Sequence, residues 1–149
     1  MNYMKIISHR GNLNGRSYLE NHPEYIKEAL QHYEVEVDVW YKDGQFFLGH
    51  DRPVYPVPFD FFTADMWLHC KNQEAVEYLA LNGHYLQWFW HENDKMTLTS
   101  RGMPWYYPGN YSKCGITVVL EYSEIPEIME VYGVCTDYPH DYKLKSLNQ

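Results

Sequence analysis

Cysteine is scarce in this chain, with three residues in 149. Cys70, Cys114 and Cys135 are odd in number, far apart, and form no Cys-x-x-Cys pair. That pattern excludes a disulfide framework or a zinc site built from thiolates and reads as buried, reduced thiols. Long apolar runs are also missing. None approaches the ~20 residues that a membrane-spanning helix needs, and the first residues enter a strand with no signal-peptide h-region. These absences lead to the expectation of a cytoplasmic protein with no membrane partner. Positive charge is in short supply as well: 12 Lys and Arg stand against 20 Asp and Glu, for a formal net charge of −8. A chain so acidic is a poor match for nucleic acid or an anionic membrane, yet a few placed cations would suffice for a phosphate ester.

What is present is apolar and aromatic. Hydrophobic residues make up 45% of the chain and aromatics 17%, including 15 Tyr and 5 Trp, so a packed core is expected rather than disorder. The length fits one domain spanning 1–149. No repeat, linker or low-complexity tract divides it.

The most informative stretch runs from Glu36 to Asp51. Val35, Val37 and Val39 alternate with Glu36 and Asp38, the period of a β-strand, so the valines share one face and the acids the other. Lys42-Asp43-Gly44 is a turn with the Asp-Gly hairpin signal, and a second strand from Gln45 to Gly49 returns His50 towards the acids. Two carboxylates and an imidazole in one place can hold a metal and move a proton.

In chain order, Met4 to Ser8 reads as a strand ending in His9-Arg10-Gly11. Asn21 and Glu24 form a capping box before a helix over Tyr25–Tyr33. The proline-rich stretch from Asp51 to Asp65 reads as irregular. Met66–Cys70 is a strand, and Asn72 caps a helix stopped by Gly83. His84–Trp90 and Met96–Ser100 read as strands, and Gly102–Gly109 as an aromatic loop. After the strand Ile116–Tyr122, Ser123 begins a third helix ending at Gly133. Val134–Asp137 is the last strand, and the polar tail after His140 frays. This alternation predicts an α/β fold with a largely parallel sheet of about eight short strands. Closure into a TIM-type barrel would leave several covering helices missing or reduced, because such barrels typically need ~250 residues.

These motifs resemble the glycerophosphodiester phosphodiesterase family of the phospholipase-C-like phosphodiesterase superfamily. They are His9-Arg10-Gly11, Glu20-Asn21, Glu36-Val37-Asp38-Val39, Lys42-Asp43-Gly44, His50-Asp51 and Thr136-Asp137-Tyr138-Pro139, in the family's order. The match is dense over the first third and returns at the last strand. The chain departs where the family has Glu-x-Lys after His-Asp: here it reads His69-Cys70-Lys71. The middle of the family's barrel is also much longer.

The resemblance implies a divalent metal, usually Mg²⁺ or Ca²⁺, and hydrolysis of a small glycerophosphodiester-like substrate to an alcohol and a phosphomonoester. It places Glu36, Asp38 and Glu20 as metal ligands, with His69 at the exchanged position, which would admit Mn²⁺ or another transition metal. His9 and His50 become the acid–base pair, with their assignment open. Arg10 and Lys71 are phosphate contacts. Asn21 either contacts substrate or only caps a helix, and Trp105, in its loop, is a candidate substrate contact. The other histidines, His32, His84, His91 and His140, read as structural. Two alternatives remain open: a phosphate-ligand binder without catalysis, and a metal-independent phosphodiesterase giving a cyclic product.

Overall fold

Alternation with period two organises the sheet. The computed structural model describes residues 4–121 and 130–147. Among them lie ten strands and three α-helices in the order β1 (Lys5–His9), α1 (Pro23–Ala29), β2 (Glu34–Lys42), β3 (Gln45–Leu48), β4 (Tyr55–Val57), β5 (Met66–Cys70), α2 (Gln73–Asn82), β6 (Gln87–Trp90), β7 (Met96–Leu98), β8 (Pro104–Tyr106), β9 (Ile116–Val119), β10 (Gly133–Thr136) and α3 (Pro139–Leu147). Neighbours in the run β6-β5-β2-β1-β10-β9-β8 pair in parallel, β7 pairs antiparallel with β8, and β3 and β4 extend antiparallel from the far half of β2. The class is α/β, with one mixed and curled sheet and few helices.

Side-chain grouping shows the curl. Ile7, Trp67, Phe89, Trp105, Ile116 and Cys135 come from six strands and meet in one buried cluster, which a flat sheet could not bring about. The opposite face carries the larger core. Val35, Val37 and Val39 of β2 are fully buried there with Ile26 and Ala29 of α1 and Ala75 and Leu79 of α2. The two outer margins of the sheet also approach one another: the Ser100 amide donates to the Trp88 carbonyl at 2.7 Å, and the Thr97 hydroxyl to the Trp90 carbonyl at 2.9 Å.

Several local expectations hold. Asp43 and Gly44 both have positive φ, 51° and 76°, as a type I′ hairpin turn requires. Asn72 Oδ1 accepts from the Ala75 amide at 3.2 Å, and Gly83 ends α2. Others are corrected. The cap of α1 is His22, whose Nδ1 accepts from the Glu24 amide at 3.2 Å; Asn21 is drawn away into the site. Gly102–Gly109 contains β8, because Trp105 fills the interior cluster. The proline-rich stretch contains β4 and a 3₁₀ turn, Phe59–Phe61. The tail after His140 is helical in α3: Pro139 suits a first turn, and Tyr142 is fully buried against Val119, Val131 and Val134. Cys70 and Cys135 are buried, whereas Cys114 is exposed. Most of the helix expected from Ser123 lies outside the described residues. No helix in the described residues is long and apolar enough to cross a membrane.

Candidate functional site

Because the valines of β2 face outward under α1 and α2, Glu36 and Asp38 face into the curl, where they are 2% and 0% exposed. Parallel pairing sets Glu36 beside His9 of β1, and Asp38 beside His69 of β5. The β2–β3 hairpin brings His50 back, with Nδ1 3.4 Å from Asp38 Oδ2. A cavity of about 710 Å³ opens at this end of the strands. His9, Arg10, Glu36, His50, His69 and Lys71 line its polar side, and Trp90, Tyr107, Pro108, Val118 and Leu120 its apolar side.

Arg10 sits just beyond β1 at φ 58°, a left-handed conformation costly for a residue with a Cβ. It is held by its own amide, donating to the Glu36 carbonyl at 2.9 Å, and by the Asn21 amide, donating to the Arg10 carbonyl at 3.1 Å. Next to it, Gly11 at φ 90° leaves no room for a Cβ, which would meet the Tyr25 ring at 2.8 Å. The guanidinium is a hub. Nε lies 3.0 Å from Asp38 Oδ2, one terminal nitrogen donates to Glu20 at 3.2 Å, and the other to His50 Nδ1 at 2.7 Å. Burial works against its charge, but Asp38, Glu36 and Glu20 outweigh that and push its pKa up.

Glu20 is therefore engaged by Arg10 and by Asn12, which donates to it at 2.9 Å. It lies outside the group Glu36, Asp38 and His69, whose ligand atoms could hold a metal ion. Asn21 does not cap α1. Its Nδ2 donates to Asp38 Oδ2 at 2.9 Å, its Oδ1 accepts from the Asp38 amide at 3.0 Å, and it is 1% exposed. It positions Asp38 and does not line the cavity. Trp105 is a strand residue, 3% exposed, stacked near Trp67 and Phe89 at centroid distances of 5.5 and 4.6 Å. It lines the cavity from a strand and not from the expected loop.

Glu36, Asp38 and His69 offer ligand atoms all within 4.8 Å of one another and could hold a metal ion. Both Glu36 oxygens and Asp38 Oδ1 are buried without a hydrogen-bond partner, an expensive state for carboxylates unless a cation is shared among them. Burial and the neighbouring Asp38 push Glu36 well above the usual carboxylate range. Burial would raise Asp38 as well, but His50, His69 and Arg10 hold it well below that range.

The His9 imidazole has a fixed orientation. His9 Nδ1 donates to Asp137 Oδ1 at 2.8 Å, which leaves Nε2 facing Glu36 Oε2 at 3.6 Å. Asp137 accepts again from Asn12 Nδ2 at 2.8 Å, and Tyr25 donates to Asn12 Oδ1 at 3.0 Å. Burial alone would raise Asp137, but the bonds from His9 and Asn12 hold it low and ionised. Asp137 was visible in the sequence only as part of the Thr-Asp-x-Pro strand end, and Asn12 carried no signal. The third missed contributor is the backbone of His91, considered below. The two buried thiols are inert: burial pushes Cys70 up to about 12, and raises Cys135 well above the ordinary thiol value.

No protein family, curated protein or solved structure matches the chain.

Proposed function

We propose that the chain is a metal-dependent phosphodiesterase on a reduced barrel of the glycerophosphodiester phosphodiesterase kind, hydrolysing a small phosphodiester. The observation that carries this reading is the buried Glu36–Asp38 pair, with three unpartnered oxygens, beside an imidazole oriented by a carboxylate. The order β1-β2-β5-β6-β7-β8-β9-β10 supplies eight staves, with β7 reversed and the helices over β7 and β8 lost. The backbone bond from Ser100 to Trp88 supports closure between β6 and β7.

Bound at Glu36, Asp38 and His69, a divalent cation would offset charge on the phosphoryl oxygens. Lys71, whose charge already acts on Glu36, and the donors of Arg10 left over from its protein contacts would hold the same oxygens. His9 has the arrangement of a general base: a carboxylate fixes Nδ1, and Nε2 is turned to the acid cluster, 3.6 Å from Glu36 Oε2. It takes a proton from water as the water oxygen bonds to phosphorus. The bond from phosphorus to the leaving oxygen breaks, and that oxygen takes a proton from His50 as imidazolium, a form in which Nδ1 faces Asp38 Oδ2 at 3.4 Å as a donor in place of accepting from Arg10. His50 is 40% exposed and can be reprotonated from solvent. The products are an alcohol and a phosphomonoester.

A panel of glycerophosphodiesters and chromogenic aryl phosphodiesters, assayed with and without EDTA, tests the reading. Chelator-sensitive hydrolysis is expected, and His9→Ala and His50→Ala should each lower kcat by about 10²–10⁴-fold. Wild-type turnover in both variants would overturn the mechanism. A cyclic product formed in EDTA would point to metal-independent transfer instead.

A further inference from the structure

Resting on the metal-dependent reading above, we propose that the site is built for a borderline transition cation of the Mn²⁺ class, taken through His69 Nδ1, rather than for Mg²⁺ or Ca²⁺. The argument begins with the far nitrogen of His69. Nε2 lies 2.8 Å from the carbonyl oxygen of His91. A carbonyl only accepts, so Nε2 carries the proton, and in the neutral ring Nδ1 is left with a lone pair. Nδ1 is thus the nitrogen left to ligate, and it faces Asp38 Oδ1 at 3.3 Å and Glu36 Oε1 at 3.9 Å. A cation placed among the three would meet one imidazole nitrogen and two carboxylate oxygens, all within 4.8 Å of one another. Donation of the second imidazole N–H to a backbone carbonyl is also how metal-ligating histidines are usually fixed.

The imidazole is held firmly. Its ring stacks on Phe89 at 4.9 Å with an interplanar angle of 11°. The carbonyl that orients it belongs to a turn stapled by the ring of His91, whose Nε2 donates to the Asp94 carbonyl at 2.6 Å. Asp38 contributes one free oxygen, since Asn21 and Arg10 occupy the other. The protein therefore presents one imidazole nitrogen and two carboxylates in a compact group. Ca²⁺ takes six to eight oxygens and Mg²⁺ a regular shell of oxygen, whereas an imidazole nitrogen favours the first-row divalent series, of which Mn²⁺ is the member that also accepts carboxylate oxygens.

Calorimetry of the metal-free wild-type chain with Mn²⁺, Mg²⁺ and Ca²⁺ reads the preference directly. One Mn²⁺ per chain should bind about tenfold or more tightly than Mg²⁺ or Ca²⁺, following ligand type. Pulsed EPR of the Mn²⁺-bound protein should show coupling to one imidazole ¹⁴N, which needs no variant to fold. His69→Glu should abolish that coupling and shift the preference back towards Mg²⁺ and Ca²⁺, with circular dichroism confirming that the variant is folded. Equal affinities in the wild type, or Mn²⁺ bound without ¹⁴N coupling, would overturn the inference. Phosphodiesterase activity sustained equally by Mg²⁺ and Mn²⁺ with no nitrogen coupling would leave the enzyme reading standing and remove His69. Nitrogen-coupled Mn²⁺ without hydrolysis of any diester would do the reverse.

Discussion

At the scale of single residues, the site depends on which atoms the protein has already used. Arg10 reads as a free phosphate clamp in the sequence, but Glu20 and His50 take donors from its terminal nitrogens and Nε sits in an ion pair 3.0 Å from Asp38. Asn21 spends both ends of its amide on Asp38. Asp137 is the counterpart gain, because it fixes the tautomer of His9. On the mechanism proposed above, Asp137→Asn should keep the fold and lower kcat by about 10²–10⁴-fold, the scale of losing a properly presented base. A steady-state assay of the purified variant checks this. The same carboxylate has a pH signature. Its folded pKa lies below the unfolded value of 3.8, so it binds fewer protons when folded. Its contribution is complete above the unfolded value and is lost as pH falls through the folded one. Urea midpoints measured from pH 6 downward should therefore fall less steeply for Asp137→Asn than for wild type. Parallel curves would show that Asp137 contributes nothing to acid stability.

At the scale of elements, legibility followed the local physics. The β2–β3 hairpin could be read because period-two alternation and an Asp-Gly turn are properties of neighbouring residues. The convergence of Glu36, Asp38 and His50 followed from that turn alone. The cap of α2 was equally local. The start of α1 was misread because Asn21 had two possible partners, and the better one, Asp38, is 17 residues away in the chain. β8 was misread because Pro104, Trp105 and Tyr106 sit among turn-formers, and only the interior cluster shows what Trp105 fills. The helical tail was missed because its polar residues hide the single anchor Tyr142. The difference between a loop and a strand at Trp105 is measurable. As a buried side chain packed with Trp67 and Phe89, Trp105→Ala should destabilise the fold by about 3–5 kcal/mol, the usual cost of emptying an aromatic core position. Urea denaturation reads it, and a loss under about 0.5 kcal/mol, typical of surface substitutions, would return Trp105 to the surface.

At the scale of the whole molecule, the curled sheet has one apolar layer beneath its helices and an interior that is apolar at one end and charged at the other. The charged end runs against stability. Glu36 has a folded pKa raised well above its ordinary 4.5, so between those two values the folded state binds more protons than the unfolded one. Stability of the metal-free chain must then fall as pH rises through that window. Glu36→Gln removes the charge and should stabilise the metal-free protein at pH 7 by about 0.5–2 kcal/mol, in the range of other relieved functional strains. A bound cation relieves the same charge by a different route, stabilising by about 2.7 kcal/mol at a hundred times its Kd. It must displace the Glu36 proton to do so, so its effect grows with pH. Thermal melts with and without Mn²⁺ at pH 5 and pH 8 should show the larger metal-induced shift at pH 8, and almost none in Glu36→Gln at either. An equal shift at both pH values, or a shift that survives in Glu36→Gln, would place the cation somewhere other than on the buried acids of β2.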